Sequence, residues 1–291
     1  MRVLCKSRLH HHYEAITAFT DGLEKHGIAD IHHFSETNPP GGQYDLAVCW
    51  GNRAMEKLKK SADIKNCLVF ENAYLNNVQN KHKEWVSLGW NGLNGRADFC
   101  NKKSPDDRWK KHFDDGRLLE YTDGDYILIP LQIKGDQSLN YVWSALTYKR
   151  ICEDIRKHSD LPIMIRDHPT RPGTQQRVVG VKDVNYLDTN MPIEQAIANA
   201  KVVVTINSNA GVDSALAGKA VINLDIGSMV WDIAESDFDQ INSPKHQDRT
   251  QWCNNISYAQ WHPNELRSGE AWDHLKQKDE VYYLQTSKNR V

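Results

Sequence analysis

The stretch "KVVVTINSNAGVDSALAGKAVINLD", residues 201–225, decides the fold of this chain. An apolar run typical of a buried strand passes through Thr-Ile-Asn-Ser-Asn-Ala-Gly into an Ala- and Gly-rich helical segment, and a second apolar run follows. Small hydrogen-bonding residues at such a junction favour an anion site, because a helix N-terminus presents unpaired N–H groups. Ser and Asn also cap ordinary helices, so both interpretations remain open at this stage.

Strands and helices alternate along the rest of the chain. Apolar runs at 44–51, 66–74, 125–133 and 161–169 predict buried strands, and the spacing over 13–28 predicts a helix that ends at Gly27. This alternation predicts the α/β class, with a parallel sheet covered on both faces. A chain of 291 residues can form two such domains.

The domain boundary is predicted near residues 114–124, which are polar and contain glycine. The first domain is then 1–120, and the second is 121–291 with a C-terminal helix. A longer helix is predicted from Tyr141 to His158 in the second domain.

Composition excludes several classes of protein. The 36 basic and 38 acidic residues nearly balance, so no global field draws the chain to nucleic acid or a membrane. No run of about 20 apolar residues and no secretory leader is seen, and we expect a cytoplasmic protein without membrane contact. Six scattered cysteines predict buried free thiols. The dinucleotide and P-loop glycine motifs are absent, and His10–His12 is expected to be a solvated surface cluster.

Candidate functional residues follow three predicted strands, where ligands bind in doubly wound sheets. The first set lies in the quoted stretch: Thr205, Asn207, Ser208, Asn209 and Gly211. In the second, Pro169 ends a strand and leaves His168 placed to donate to an anion or a leaving group, unless a nearby carbonyl satisfies it. The third is Glu71, which follows a buried run and suits a general base of raised pKa, unless it forms an ion pair.

Residues 84–113 combine tryptophans with basic side chains. Trp85, Trp90 and Trp109 with Lys110 suit stacking on extruded bases or sugars, although packing in the core is the default interpretation of such rings. Two Asp-x-Asp triplets, at 123–125 and 237–239, have the spacing of a divalent-metal site, but neither follows a convincing buried strand. We therefore predict no metal site.

With these residues in view, the chain shows two family resemblances. "ILIPLQIKGDQSL" (127–139), "IRDHP" (165–169) and the stretch at 202–222 resemble, in order and spacing, the donor half of capsule-polysaccharide Kdo transferases. "CLVFENAYLNN" (67–77) and "WVSLGWNGLNGRADF" (85–99) are similar to phage and prophage glycosyltransferase-like proteins. The resemblance implies the GT-B fold: two Rossmann-like domains, with the active site in the cleft between them.

The resemblance also implies roles for individual residues. His168 would contact the donor phosphate, Ser208 and Asn209 would complete a phosphate cup, and Glu71 would be the general base. Arg166 and Pro169 join the donor-binding set, although Asp167 separates Arg166 from the His-Pro pair that the family often joins directly to a basic residue. The implied acceptor-binding residues are Trp85, Trp90, Asn91, Asn94, Arg96, Trp109 and Lys110.

The function implied is transfer of a sugar from a nucleotide sugar, with UDP-sugars expected ahead of CMP-sugars. No cofactor or metal is expected, because His168, Ser208 and helix N–H groups would offset the charge of the leaving phosphate. The acceptor expected first is a 5-hydroxymethylpyrimidine in double-stranded phage DNA, which places the protein in the host cytoplasm and makes binding salt-sensitive. The alternatives are a cell-surface polysaccharide or lipid-linked acceptor, or a non-catalytic nucleotide- or glycan-binding protein.

Overall fold

The computed structural model describes residues 1–7, 10–36, 38–75, 84–139, 148–173 and 177–278. These residues form two compact units. The first comprises Met1–Pro105 and the described part of Asn255–Val291, and the second comprises Asp106–Asn254. The C-terminal segment therefore returns to the first unit, whereas the sequence placed it in the second.

The first unit is built on a mixed six-stranded sheet with the order β11-β5-β4-β3-β1-β2. Strands β1 to β4 pair in parallel, while β5 and β11 add antiparallel at one side. Its elements are β1 Arg2–Lys6, α1 His10–Lys25, β2 Asp30–Phe34, β3 Gln43–Trp50, α2 Asn52–Ser61, β4 Asp63–Asn72, β5 Val86–Trp90, β11 Gln260–Trp261, α7 Pro263–Ser268 and α8 Glu270–Leu275.

Strand β5 lies in the tryptophan-rich segment 84–113, where the sequence analysis predicted no strand. All five of its residues are buried, so the sequence lacks the alternation that identifies a half-exposed strand. Gly89 is required within it, since a Cβ at this position would lie 2.6 Å from the Phe99 ring. Packing between layers, which local periodicity does not record, therefore decides this strand.

The C-terminal helices complete the core of the first sheet. Leu266, Trp272 and Leu275 are at most 6% exposed and pack in the same cluster as Phe19 of α1. The Trp90 indole N–H also donates to the Leu275 carbonyl at 3.1 Å. Removing this segment would expose the apolar face of α1, which is the physical reason for its place in the first unit.

The second unit contains a fully parallel five-stranded sheet with the order β10-β9-β6-β7-β8. The helix predicted over 141–158 is described from Tyr148, and residues 141–147 of that prediction lie outside the described residues. The elements are β6 Tyr126–Pro130, α3 Tyr148–Ile155, β7 Ile163–Arg166, β8 Val184–Tyr186, α4 Ile193–Ala198, β9 Ala200–Thr205, α5 Ala210–Leu216 and β10 Ala220–Asn223; α6, Thr250–Ser257, contains the second unit boundary.

The segment 114–124, predicted to be the domain boundary, packs within the second unit. Arg249 is buried, donates to the carbonyls of Ala215 and Leu119, and lies 4.0 Å over the Tyr121 ring. Gly218, with a φ of +70°, lets the segment approach closely, because a Cβ there would lie 2.0 Å from the Glu120 carbonyl oxygen. The boundary therefore falls at residue 105, ahead of the predicted position.

The six cysteines are free, and all except the half-buried Cys100 are buried, as predicted. Among the described helices, none combines the length and the apolar character that a membrane crossing requires.

Candidate functional site

The topology of the second sheet marks where a ligand site belongs. The chain builds β7 and β8 on one side of β6, then returns to add β9 and β10 on the other side. The strand order therefore reverses between β6 and β9, and ligands of such sheets bind outside the carboxyl ends of the strands at this point. The residues that follow these ends include Gln132 and Asp136 after β6, His168 after β7, Asn207 after β9 and Asp225 after β10.

Asn207 is a buried hub at this edge and is not a free ligand-binding side chain. Its Oδ1 accepts from the Gln132 amide at 2.8 Å, and its Nδ2 donates to the Asp225 carboxylate at 2.6 Å and to the Ser138 carbonyl at 2.8 Å. The predicted donor-binding role is corrected, because the hydrogen bonds of both amide atoms are made inside the protein. Gln132 and Asp225, which the sequence did not single out, are its partners.

In the stretch 205–211, backbone N–H groups that were predicted to be free for a ligand already have hydrogen-bond acceptors within the protein. The Thr205 hydroxyl accepts from the Ser208 N–H at 2.9 Å, and the Ser208 hydroxyl accepts from the Ala210 N–H at 3.2 Å. The N–H groups of Gly211 and Val212 donate to the carbonyls of Ser208 and Asn209. The prediction that the amides of this helix start are free to hold a phosphate is therefore wrong.

Within this stretch, half-buried Ser208 and exposed Asn209 are the polar side chains that reach solvent. Gly211 is buried, and a Cβ there would lie 3.1 Å from a Val230 methyl group and 3.2 Å from the Thr205 methyl group. Its role in the structure is close packing of α5.

His168 remains a strong candidate. It is half-buried just beyond β7, and its Nδ1 lies 3.3 Å from the Thr170 N–H, which makes Nδ1 the acceptor and places the proton of the neutral ring on Nε2. Burial, followed by the Arg166 charge, lowers the pKa of His168, and Asp136 opposes this shift. A neutral imidazole at pH 7 that donates from Nε2 suits contact with a phosphate oxygen.

Arg166 has a structural role in place of the predicted donor contact. Its guanidinium is buried, and Nε and Nη2 donate to the Met191 carbonyl at 3.0 and 2.8 Å. The side chain thus fixes the loop before α4. Pro169 is exposed beyond the strand end.

Two carboxylates near this edge were missed by the sequence. Asp136 is half-buried, and its Oδ1 accepts from the N–H and the hydroxyl of Ser138, both at 2.8 Å. Asp213 on α5 is half-buried, and burial, followed by the charge of Glu194, raises its pKa to about 7. Asp136 follows β6 by six residues, so the strand-end rule applied to "PLQIKGD" would have found it.

In the first unit, the strand order reverses between β1 and β3, and Glu71 lies near the end of the next strand, β4. Its Oε1 accepts from the N–H and the side-chain amide of Asn72 at 2.9 and 3.0 Å. The His12 ring stacks on Trp50 at the end of β3, with centroids 4.4 Å apart and planes at 11°. His12 is thus half-buried and not solvated as predicted, and the side chains of His10 and His11 lie outside the described residues.

The predicted stacking surface is not formed by its tryptophans. Trp85, Trp90 and Trp109 are 6%, 3% and 6% exposed, so the rings are core residues. Trp109 also belongs to the second unit, whereas the other two belong to the first. The prediction that they stack on extruded bases is therefore corrected.

The remaining predicted acceptor residues lie on turns. Asn91 fixes the end of β5, because its Oδ1 accepts from the Cys67 N–H and from Lys59 Nζ, both at 3.0 Å. Asn94 and the half-buried Arg96 begin and end a 3-10 turn. Lys110 is exposed and pairs with Asp106 at 2.5 Å.

The acidic triplets are engaged elsewhere. Asp123 pairs with Lys201 at 2.7 Å, and Asp237 accepts from the Asp239 N–H at 3.0 Å. No group of three or more His, Cys, Asp or Glu side chains in the described part of the chain is arranged to hold a metal ion.

The fold and the strand-end site define a protein of the two-Rossmann GT-B type. The chain belongs to the capsule polysaccharide biosynthesis protein family, whose model matches residues 101–250. No curated protein matches the sequence.

Two solved structures from Thermosulfurimonas dismutans KpsC share the fold. For the β-Kdo 2,7 transferase the identity is 13%, the alignment covers 96% of this chain and 100% of that chain, and the TM-score is 0.52. For the β-Kdo 2,4 transferase the identity is 11%, the alignment covers 89% of this chain and 90% of that chain, and the TM-score is 0.56. These findings confirm the predicted fold and the resemblance to Kdo transferases, and the predicted class, a glycosyltransferase, agrees with them. They give no support to phage DNA as the acceptor.

Proposed function

We propose that this protein is a glycosyltransferase that moves a sugar from a nucleotide sugar to a hydroxyl group of a cell-surface polysaccharide or a lipid-linked glycan. The observation that carries the proposal is the group at the reversal point of the second sheet, where His168, Asp136 and Ser208 follow three neighbouring parallel strands. Membership of the capsule polysaccharide biosynthesis family supports the same conclusion.

On the donor side, the neutral His168 ring donates its Nε2–H to a phosphate oxygen of the nucleotide, and the Ser208 hydroxyl donates a second hydrogen bond. As the bond from the anomeric carbon to the phosphate oxygen breaks, negative charge grows on that phosphate. Fixed donors stabilise such charge more in the transition state than in the ground state, which accelerates the transfer.

On the acceptor side, Glu71 is the proposed general base. The two hydrogen bonds that Asn72 donates to its Oε1 hold the carboxylate at the end of β4. The acceptor hydroxyl then loses its proton to Glu71 and its oxygen bonds to the anomeric carbon, while the nucleotide departs with the electron pair of the broken bond.

A glycan is the better-supported acceptor. The tryptophans that would have stacked on DNA bases are buried, and the net charge of −2 provides no global attraction to phosphates. The two structural relatives are named as Kdo transferases, so CMP-Kdo joins the UDP-sugars as a donor to be tested.

The test is a donor and acceptor screen. Purified protein is incubated with CMP-Kdo or UDP-sugars, together with a lipid-linked capsule oligosaccharide or with DNA containing hydroxymethylcytosine, and products are analysed by mass spectrometry. A glycan enlarged by one sugar supports the proposal, provided that His168→Gln reduces the yield. Sugar on the modified base would overturn the glycan acceptor, and nucleotide-sugar binding without turnover would favour a non-catalytic protein.

A further inference from the structure

Three polar side chains are almost completely buried at the carboxyl edge of the second sheet. Gln132, Asn207 and Asp225 are 5%, 4% and 4% exposed, and they follow the neighbouring strands β6, β9 and β10. Buried polar groups are stable only with hydrogen-bond partners, and these three bond to one another through Asn207. The Gln132 carbonyl oxygen of the side chain also accepts from the Asn207 N–H at 3.3 Å.

The network extends to Asp136 through Ser138. Asn207 Nδ2 donates to the Ser138 carbonyl at 2.8 Å, and the Gln132 amide lies 3.3 Å from the Ser138 hydroxyl. The same hydroxyl and the Ser138 N–H both donate to Asp136 Oδ1 at 2.8 Å. The position of the Asp136 carboxylate thus depends on buried groups from three strand ends.

Asp136 and His168 leave adjacent strands at the same edge. The Leu131 N–H just after β6 donates to the Arg166 carbonyl at the end of β7, at 2.9 Å. This hydrogen bond joins the two chain segments that lead to Asp136 and His168, five residues before Asp136 and two residues before His168.

We propose that Gln132, Asn207 and Asp225 form a positioning network that fixes the Asp136 carboxylate beside His168. The inference rests on the proposed function in one respect: it takes this strand edge to be the donor site. A buried carboxylate and two amides are costlier to desolvate than apolar side chains of similar size. Their use where the strand order reverses is explained by orientation of a charged group, since core packing alone would not require them.

The test is an NMR titration of His168 in the intact protein. Its signal is assigned as the one that is missing from the spectrum of the His168→Gln variant. The groups that bear on His168 are Arg166, Arg171 and Asp136, and Asp136 favours protonation. Asp136→Asn should lower the His168 midpoint, because it removes the neighbouring charge that favours protonation of the ring. Asn207→Ala should lower it by a similar amount, and the double variant should add nothing further, because both changes remove the same carboxylate from its place.

Asn242→Ala is the matched control. Asn242 is an amide of the same unit that bonds to Ser159 and to the His158 carbonyl, so its loss removes two hydrogen bonds without touching the network. The midpoint of His168 should not move in this variant. If Asn207→Ala does not fold, the isosteric Asp225→Asn replaces it, with a midpoint between those of wild type and Asp136→Asn.

The proposal is overturned if Asn207→Ala or Asp225→Asn folds and leaves the His168 midpoint at the wild-type value while Asp136→Asn lowers it. It is equally overturned if Asp136→Asn itself has no effect. Because this readout needs no substrate, coupling without any sugar transfer would retain the network and reject the proposed function. Sugar transfer in the wild type, with no effect of the network variants on the His168 midpoint, would retain the proposed function and reject the network.

Discussion

Asp213 provides a quantitative test of how burial of a carboxylate in the second unit changes the stability of the protein with pH. Its pKa is raised from 3.8 to about 7 by burial, followed by the charge of Glu194. Between these pH values the folded protein keeps a proton that the unfolded chain has lost. Stability is therefore lost as the pH rises from about 4 to about 7, and it stays at the lower level above pH 7.

Replacing the carboxylate by a neutral amide, Asp213→Asn, should remove this loss. The full shift corresponds to about 4 kcal/mol at pH 8, at about 1.4 kcal/mol for each pKa unit. The side chain retains some contact with solvent, which screens its charge, so we expect a gain of about 2 kcal/mol at pH 8 and about 0.5 kcal/mol at pH 4.5.

Urea unfolding followed by tryptophan fluorescence measures the difference, since the chain contains nine tryptophans. Asp232→Asn, at an exposed position of the same unit, controls for the loss of one negative charge. An equal gain at both pH values, or a loss of stability at pH 8, would refute the argument from burial.

Three further predictions concern single side chains. His168→Gln should lower kcat about 100-fold with a smaller change in donor Kd, because the hydrogen bond from His168 strengthens as the phosphate leaves. Steady-state kinetics and calorimetry measure the two constants, and an unchanged kcat would exclude His168 from the reaction. Glu71→Gln should abolish transfer and leave donor binding intact in the same two assays, and surviving transfer would reject this base. Trp90→Phe should cost about 1–2 kcal/mol in urea unfolding and speed proteolysis near Leu275, since the indole N–H no longer bonds that carbonyl; unaltered proteolysis would contradict this role.

The central parallel strands of both units were accessible to sequence pattern because most of their residues are buried. Runs such as 44–51 and 161–169 are continuous apolar segments between turn residues, and they form β3 and β7 close to the predicted positions. Strand β5 was not predicted, because its five buried residues lie in a segment rich in Gly, Asn and Trp. There the antiparallel pairing with β4 supplies the order that local sequence does not.

The candidate site was predicted in part. His168 was predicted because Pro169 ends a strand, and the structure places its ring just beyond β7, while its role in the reaction stays a proposal. Asn207 was found for the wrong role, since its type and position suit a ligand contact as well as a buried hub. Its partners Gln132 and Asp225 are separated from it by 75 and 18 residues.

The sequence by itself determined the class of fold and the positions of its central parallel strands, because hydrophobic periodicity and turn residues act over short distances along the chain. The tertiary structure decided which polar side chains form hydrogen bonds inside the protein and which reach solvent. It also decided that the C-terminal helices complete the first unit and that three tryptophans are core residues. These outcomes depend on burial and on contacts between segments distant in sequence, for which a linear pattern carries no information.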